Sequence, residues 1–262
     1  MIGVRMNRID SPGATVALVQ GASRGIGLAL TRALLDDSRF DVVVACCRDP
    51  DAAGELTELA EASAGRLILQ AVDVTSEESV VELGKSLDQQ GLRLSLVLNV
   101  AGLLHDGDAL QPEKRLEDIK LSQLERVFAV NALGPALMLR ELLPRMAKSQ
   151  RAVFAALSAR VGSIGDNRLG GWYAYRSSKA ALNQLLRTAA IEAHRRFRNV
   201  IVVALHPGTT DTRLSEPFQG NVPPDKLFSA DFVAERLLSV VAGLENDDSG
   251  GFFAWDGKLI EW

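Results

Sequence analysis

The chain has 262 residues, enough for one large domain with a well-buried core. Hydrophobic residues make up 47% and charged residues 24%, and a formal net charge of −4 argues against nucleic acid or an anionic membrane as the main partner. Residues 1–13 lack the apolar centre of a signal peptide and no run is read as a membrane span, so a cytoplasmic protein with a flexible N-terminal arm at 1–13 is expected.

From residue 14 to 262, apolar runs alternate with helical patterns. The predicted strands are Thr15–Gln20, Phe40–Cys46, Leu67–Val72, Ser95–Val100, Ala152–Ser158, Val200–His206 and Gly251–Ala254. The predicted helices are Ile26–Asp37, Ala52–Ala64, Glu77–Gln90, Leu121–Lys148, Ala174–Phe197 and Asp231–Leu244. The strands are continuously apolar, as strands covered on both faces are. Strand–helix alternation predicts an α/β, doubly wound Rossmann-type single domain: a seven-stranded parallel sheet with helices on both faces. The connections 101–120, 159–172 and 207–229 are long and all follow strand carboxyl ends, where ligands bind in such sheets.

The first strand runs into Gly21-Ala22-Ser23-Arg24-Gly25-Ile26-Gly27 and then a helix. A glycine turn there lets the backbone approach a pyrophosphate at a helix N-terminus. Gly21, Ser23, Arg24, Gly25, Ile26 and Gly27 are therefore candidate cofactor contacts. The second strand ends in Arg48, with an acid, Asp49, only afterwards. Arg24 and Arg48 suit a 2′-phosphate, so NADP(H) is favoured and NAD(H) is the alternative, through Asp49. Cys46 and Cys47 read as buried strand residues, and His105, His194 and His206 are too scattered to suggest a metal site. Farther along, Tyr175 and Lys179 share one helix face four residues apart. An ammonium beside a phenol lowers its pKa, which suits proton transfer to a substrate oxygen. Tyr173 has Ser177 at the same spacing, which supplies no charge.

Together these residues resemble the short-chain dehydrogenase/reductase family over nearly the whole chain. The resemblance implies that Asp73-Val74 contacts adenine and that Asn99, Ala101 and Gly102 correspond to the Asn-Ala-Gly motif, with Val100 inserted. It implies a catalytic set of Asn131, Ser158, Tyr175 and Lys179. Pro207, Gly208, Thr210 and Thr212 correspond to the turn beside the nicotinamide. Gln20 stands where most members have a threonine that ties the glycine turn to the Asn-Ala-Gly segment. The segments 158–167 and 173–176 resemble the branch of C-factor-like signalling proteins and sniffer-type carbonyl reductases. The implied activity is hydride transfer between nicotinamide and a small-molecule carbonyl or alcohol, with Tyr175 as acid, Ser158 as donor to the substrate oxygen and Asn131 holding a relay water. The alternative is a C-factor-like nucleotide-binding signalling protein with little turnover. A homodimer or homotetramer is implied by resemblance alone.

Overall fold

The computed structural model describes residues 14–262; the expected N-terminal arm lies outside the described residues. Besides a short parallel pair, Thr209–Thr210 with Leu227–Phe228, the strands are β1 (Val16–Gln20), β2 (Val42–Cys47), β3 (Leu67–Ala71), β4 (Leu94–Asn99), β5 (Ala152–Leu157), β6 (Val200–His206) and β7 (Phe252–Ala254). They form one seven-stranded sheet in the order β3-β2-β1-β4-β5-β6-β7, and every pairing is parallel. The order reverses between β1 and β4, which opens a crevice at their carboxyl ends.

Alternation along each strand divides the apolar residues between two layers. Val16 and Leu18 of β1 with Phe154 and Ala156 of β5 face α3 (Glu77–Gln89), α5 (Gly134–Leu142) and α6 (Tyr173–Arg196). Ala17, Val19, Val153 and Leu157 face the opposite layer, built on α1 (Gly25–Asp36), α2 (Gly54–Ala62) and α7 (Ala230–Gly243). Both faces of the sheet are covered, which is why its strands read as unbroken apolar runs. Cys46 and Cys47 are free and buried, one in each layer.

One predicted element differs. The run 121–148 is not a single helix: α4 (Leu121–Phe128) passes through a π-helical turn, Ala129–Leu133, into α5 and a short 3-10 turn. Asn131 sits inside the π turn, and such turns gather at functional sites. The stretch Leu121–Arg145 also departs from the expectation that no segment is long and apolar enough to cross a membrane. It meets that test by length and composition, with a mean hydropathy of 1.2, yet half of its apolar window is buried inside the domain.

Candidate active site

The glycine turn is shaped by close approach. A Cβ on Gly27 would stand 2.0 Å from the Gly21 carbonyl oxygen, and one on Gly21 would stand 2.7 Å from the Ala101 nitrogen. Gly21 also has φ +86°, which favours glycine. The turn is thus pressed against the segment after β4. Gln20 strengthens that contact: its buried side-chain oxygen accepts the Ala101 N–H at 3.2 Å. The longer amide makes the tether expected of a threonine. Gly25 abuts Thr212, which brings the loop after β6 over the turn. Ser23 and Ile26 lie half-buried at the start of α1, and Ile26 packs on the adjacent core.

Arg24 precedes α1 and Arg48 follows β2; both are exposed, and neither joins an ion pair among the described residues. Asp49 spends a carboxylate oxygen on the Ala52 N–H at 3.2 Å. Asp73 accepts the N–H and hydroxyl of Thr75 at 2.9 and 2.7 Å. The Thr75 hydroxyl lowers its pKa, helped by the Thr75 N–H and the Arg48 charge against the opposing effect of partial burial. Val74 is buried against Gly134, which leaves its backbone as the part able to meet a ligand.

These residues fit a nicotinamide dinucleotide. The Asn99 side-chain oxygen and the Thr210 hydroxyl are buried without a protein partner at the carboxyl edge of the sheet, and such groups call for a ligand or water. Gly21 and Gly27 leave no room for side chains where the backbone must approach phosphates. Pro207 and Gly208 follow β6, and Gly208 (φ +75°) lies under Phe228. His206, at the end of β6, is held neutral by burial, its pKa pushed down to about 4.

Tyr175 and Lys179 sit in the first two turns of α6, both buried. The Lys179 ammonium donates to the Leu157 carbonyl at 2.8 Å and stands 5.8 Å from the centre of the Tyr175 ring. Burial pushes the phenol's pKa up from its ordinary value and the ammonium's down to about 8. The expected lowering of the Tyr175 pKa is therefore corrected for the protein alone: desolvation outweighs a lysine whose proton is given to a carbonyl. Tyr173, half-buried, has only Ser177 bonded to its backbone.

Asn131 bonds to both the N–H and the carbonyl of Leu103, at 2.7 and 2.8 Å, and its amide also donates to Ser178 at 3.1 Å. Ser178 in turn donates to the Tyr175 carbonyl at 2.8 Å. Both amide hydrogens are used, so the side chain first pins the loop after β4 to the helix of Tyr175. A Cβ on Gly102 would lie 3.6 Å from Asn131 Oδ1 and 3.7 Å from Lys179 Nζ, so the two face a common space.

Ser158 is buried at the end of β5, and its hydroxyl donates to Asn183 Oδ1 at 2.6 Å. Asn183 is one turn beyond Lys179, and its Nδ2 has no partner. The residue was missed in the sequence, although 175, 179 and 183 recur on one helix face. Ser163, farther along the loop after β5, accepts the Asp166 N–H within that loop. His105 Nε2 lies 2.9 Å from the Arg213 carbonyl oxygen, and its ring meets Phe218 edge-on. Phe218 also meets Trp172, whose ring reaches Tyr175, with centroids 4.9 and 6.2 Å apart. The three long loops thus converge over the phenol.

The short chain dehydrogenase family profile matches residues 15–222. The 1-hydroxy-2-glutathionyl-2-methyl-3-butene dehydrogenase of Rhodococcus sp. is 31% identical over 250 residues, covering 95% of this chain and all of that protein. The C-signal protein of Myxococcus xanthus is 33% identical over 147 residues, 56% of this chain and 83% of its own length. An NADPH-bound carbonyl reductase from chicken fatty liver superimposes with a TM-score of 0.82 at 31% identity, covering 95% of this chain and 99% of that one.

Proposed function

The chain belongs to the short-chain dehydrogenase family, oxidoreductases of alcohol and carbonyl groups, and from that premise we propose that it is an NADPH-dependent carbonyl reductase with Tyr175 as proton donor. The observation that carries this reading is the buried Tyr175–Lys179 pair at the crevice, beneath three converging loops. When bound, the cofactor supplies a hydride to the carbonyl carbon. Gly21, Ser23, Gly25, Ile26 and Gly27 would hold its pyrophosphate, and Asp73, the Val74 backbone, Asn99, Ala101 and Gly102 its adenosine side. Pro207, Gly208, Thr210 and Thr212 would line the nicotinamide end.

Tyr175 gives its proton to the nascent alkoxide. Burial keeps that phenol protonated in the protein alone, and positive charge brought close to it by Lys179 and the bound cofactor would lower its pKa toward a useful acid. Lys179 would lower the pKa of the phenol through its positive charge and hydrogen-bond the nicotinamide ribose, which makes Tyr175 and Lys179 cofactor contacts as well. Asn131 Oδ1 keeps one lone pair toward the space by Gly102, where a relay water would sit. Ser158 stabilises charge on the substrate oxygen once its proton is released from Asn183. Arg24 and Arg48 are the exposed guanidiniums for a 2′-phosphate, and the turn of Asp49 toward Ala52 supports NADP(H) over NAD(H). We further read residues 14–262 as one domain, active as a cytoplasmic homodimer or homotetramer on small-molecule carbonyls or alcohols.

The test is NADPH oxidation with a panel of ketones, aldehydes and quinones. Tyr175→Phe is expected to lower kcat by about 10²–10⁴ while NADPH affinity stays near wild type; retained turnover sinks the assignment. A second reading, a cofactor-binding signalling protein, is favoured by the C-signal similarity and by the Ser158 proton held on Asn183. NADPH binding without turnover across the panel selects it.

A further inference from the structure

Glu113 lies in the long loop after β4 and is buried, 3% exposed. It joins no ion pair among the described residues. A carboxylate removed from water needs compensating donors, and here they come from the backbone at the start of α6. Glu113 Oε2 accepts the Ala174 N–H at 3.1 Å, and the Glu113 carbonyl accepts the Trp172 N–H at 2.6 Å. The helix has no capping side chain of its own and no acid in its first turn. A residue 61 positions earlier therefore supplies both the missing acceptor and the negative charge that a helix N-terminus favours.

The entry to the same helix is strained. Gly170, Gly171 and Trp172 have φ +65°, +65° and +53°, three left-handed residues in succession. Glycine adopts that region freely, whereas a bulky residue does so only where its surroundings hold it there. Trp172 is held by Glu113 on its backbone side and by Phe218 on its ring side, and its ring edge meets Tyr175. Glu113 and Tyr175 pack around one crevice too narrow for a water molecule, together with Leu104, Leu110 and Val127.

We propose that Glu113 and Trp172 form a clamp that fixes the direction of the Tyr175 phenol, Glu113 by anchoring the first turn of its helix and Trp172 by bracing the ring. Both are positioning residues, and the inference rests on the reading of Tyr175 as proton donor. The left-handed Trp172 backbone and the edge contact of its indole with the phenol occur together. A clamp of this kind affects the chemical step more than cofactor binding, since the glycine turn lies on another element.

The variants Trp172→Gly, Glu113→Ala and Glu113→Gln are compared with Tyr175→Phe, using NADPH with 4-nitrobenzaldehyde and 9,10-phenanthrenequinone as carbonyl probes. Trp172→Gly relieves the left-handed strain but loses the ring contacts with Phe218 and Tyr175, so its thermal midpoint stays near wild type while kcat falls about tenfold or more. A packing role alone predicts that stability falls with activity. Glu113→Ala lowers kcat similarly with NADPH Kd unchanged, and Glu113→Gln, which keeps an acceptor oxygen, restores most of it. Crystal structures of Trp172→Gly and Glu113→Ala are expected to show the phenol in more than one rotamer. Wild-type kcat in both variants, where Tyr175→Phe is inactive, overturns the clamp and leaves the function standing. A single unchanged Tyr175 rotamer in both crystals overturns the clamp whether or not either probe turns over. An active Tyr175→Phe overturns the function and the clamp together.

Discussion

Replacing Lys179 by methionine isolates the cost of burying a charge for function. The ammonium is 3% exposed, and burial brings its pKa from the ordinary 10.5 to about 8. That interval, at 1.36 kcal/mol per pH unit, makes the buried ammonium unfavourable by on the order of 3 kcal/mol at neutral pH, relative to an unfolded chain in which it is hydrated. Between pH 8 and about 10.5 the folded lysine has lost its proton and the unfolded lysine has kept it, so this group adds stability as pH rises through that window. Below pH 8 both states are protonated and the full penalty applies. Lys179→Met removes the titration and fills similar volume, but it leaves the Leu157 carbonyl without the bond made at 2.8 Å, at about 1–3 kcal/mol. At pH 7 the variant is therefore expected to match or modestly exceed the wild type in stability while losing activity. The assay is urea unfolding of both proteins at pH 7, 8, 9 and 10, read as the difference between their free energies. Wild type should gain on the variant by a few kcal/mol from pH 8 to 10, other titrating groups cancelling in the difference. A difference independent of pH, or one that moves toward the variant, refutes the argument that desolvation dominates at Lys179.

Gln20→Leu removes the tether to Ala101 and leaves a part-buried N–H unpaired, so it should cost about 1 kcal/mol in denaturant unfolding and weaken NADPH binding measured by fluorescence titration. Arg48→Asp should lower kcat/KM with NADPH by about tenfold or more and leave the NADH value unchanged or higher; equal losses with both cofactors would remove Arg48 from the 2′-phosphate site. Asn183→Leu frees the Ser158 proton, and its effect on kcat should vanish in a Ser158→Ala background. A full effect in that background would show that Asn183 acts on the site by another route.

The sheet was legible because burial on both faces leaves strands such as Val42–Cys47 unbroken in apolar character, and their ends fall within about two residues of expectation. Tyr175, Lys179 and the glycine turn were legible for a related reason: a helix face and a backbone close approach each impose a local spacing that sequence records. The π turn at Asn131 left no such mark, because inserting one residue into an apolar helix only blurs its periodicity. Glu113 left none either, since its partner is a backbone N–H 61 residues away and any acid in a loop looks solvated.

The acidity of Tyr175 was misjudged for a deeper reason. Spacing says that a lysine is adjacent, but the sign of a pKa shift depends on the balance between that charge and the water both groups lose. In the folded protein the ammonium is turned to Leu157, so burial prevails and the phenol holds its proton. A phenol that becomes a useful acid at neutral pH must then be adjusted by what enters the crevice. The same economy is visible at Ser158, whose proton is held by Asn183, and at the unpartnered Asn99 oxygen and Thr210 hydroxyl. Under the proposed function, a bound cofactor and substrate would partner the Asn99 oxygen and the Thr210 hydroxyl and would compete with Asn183 for the Ser158 proton.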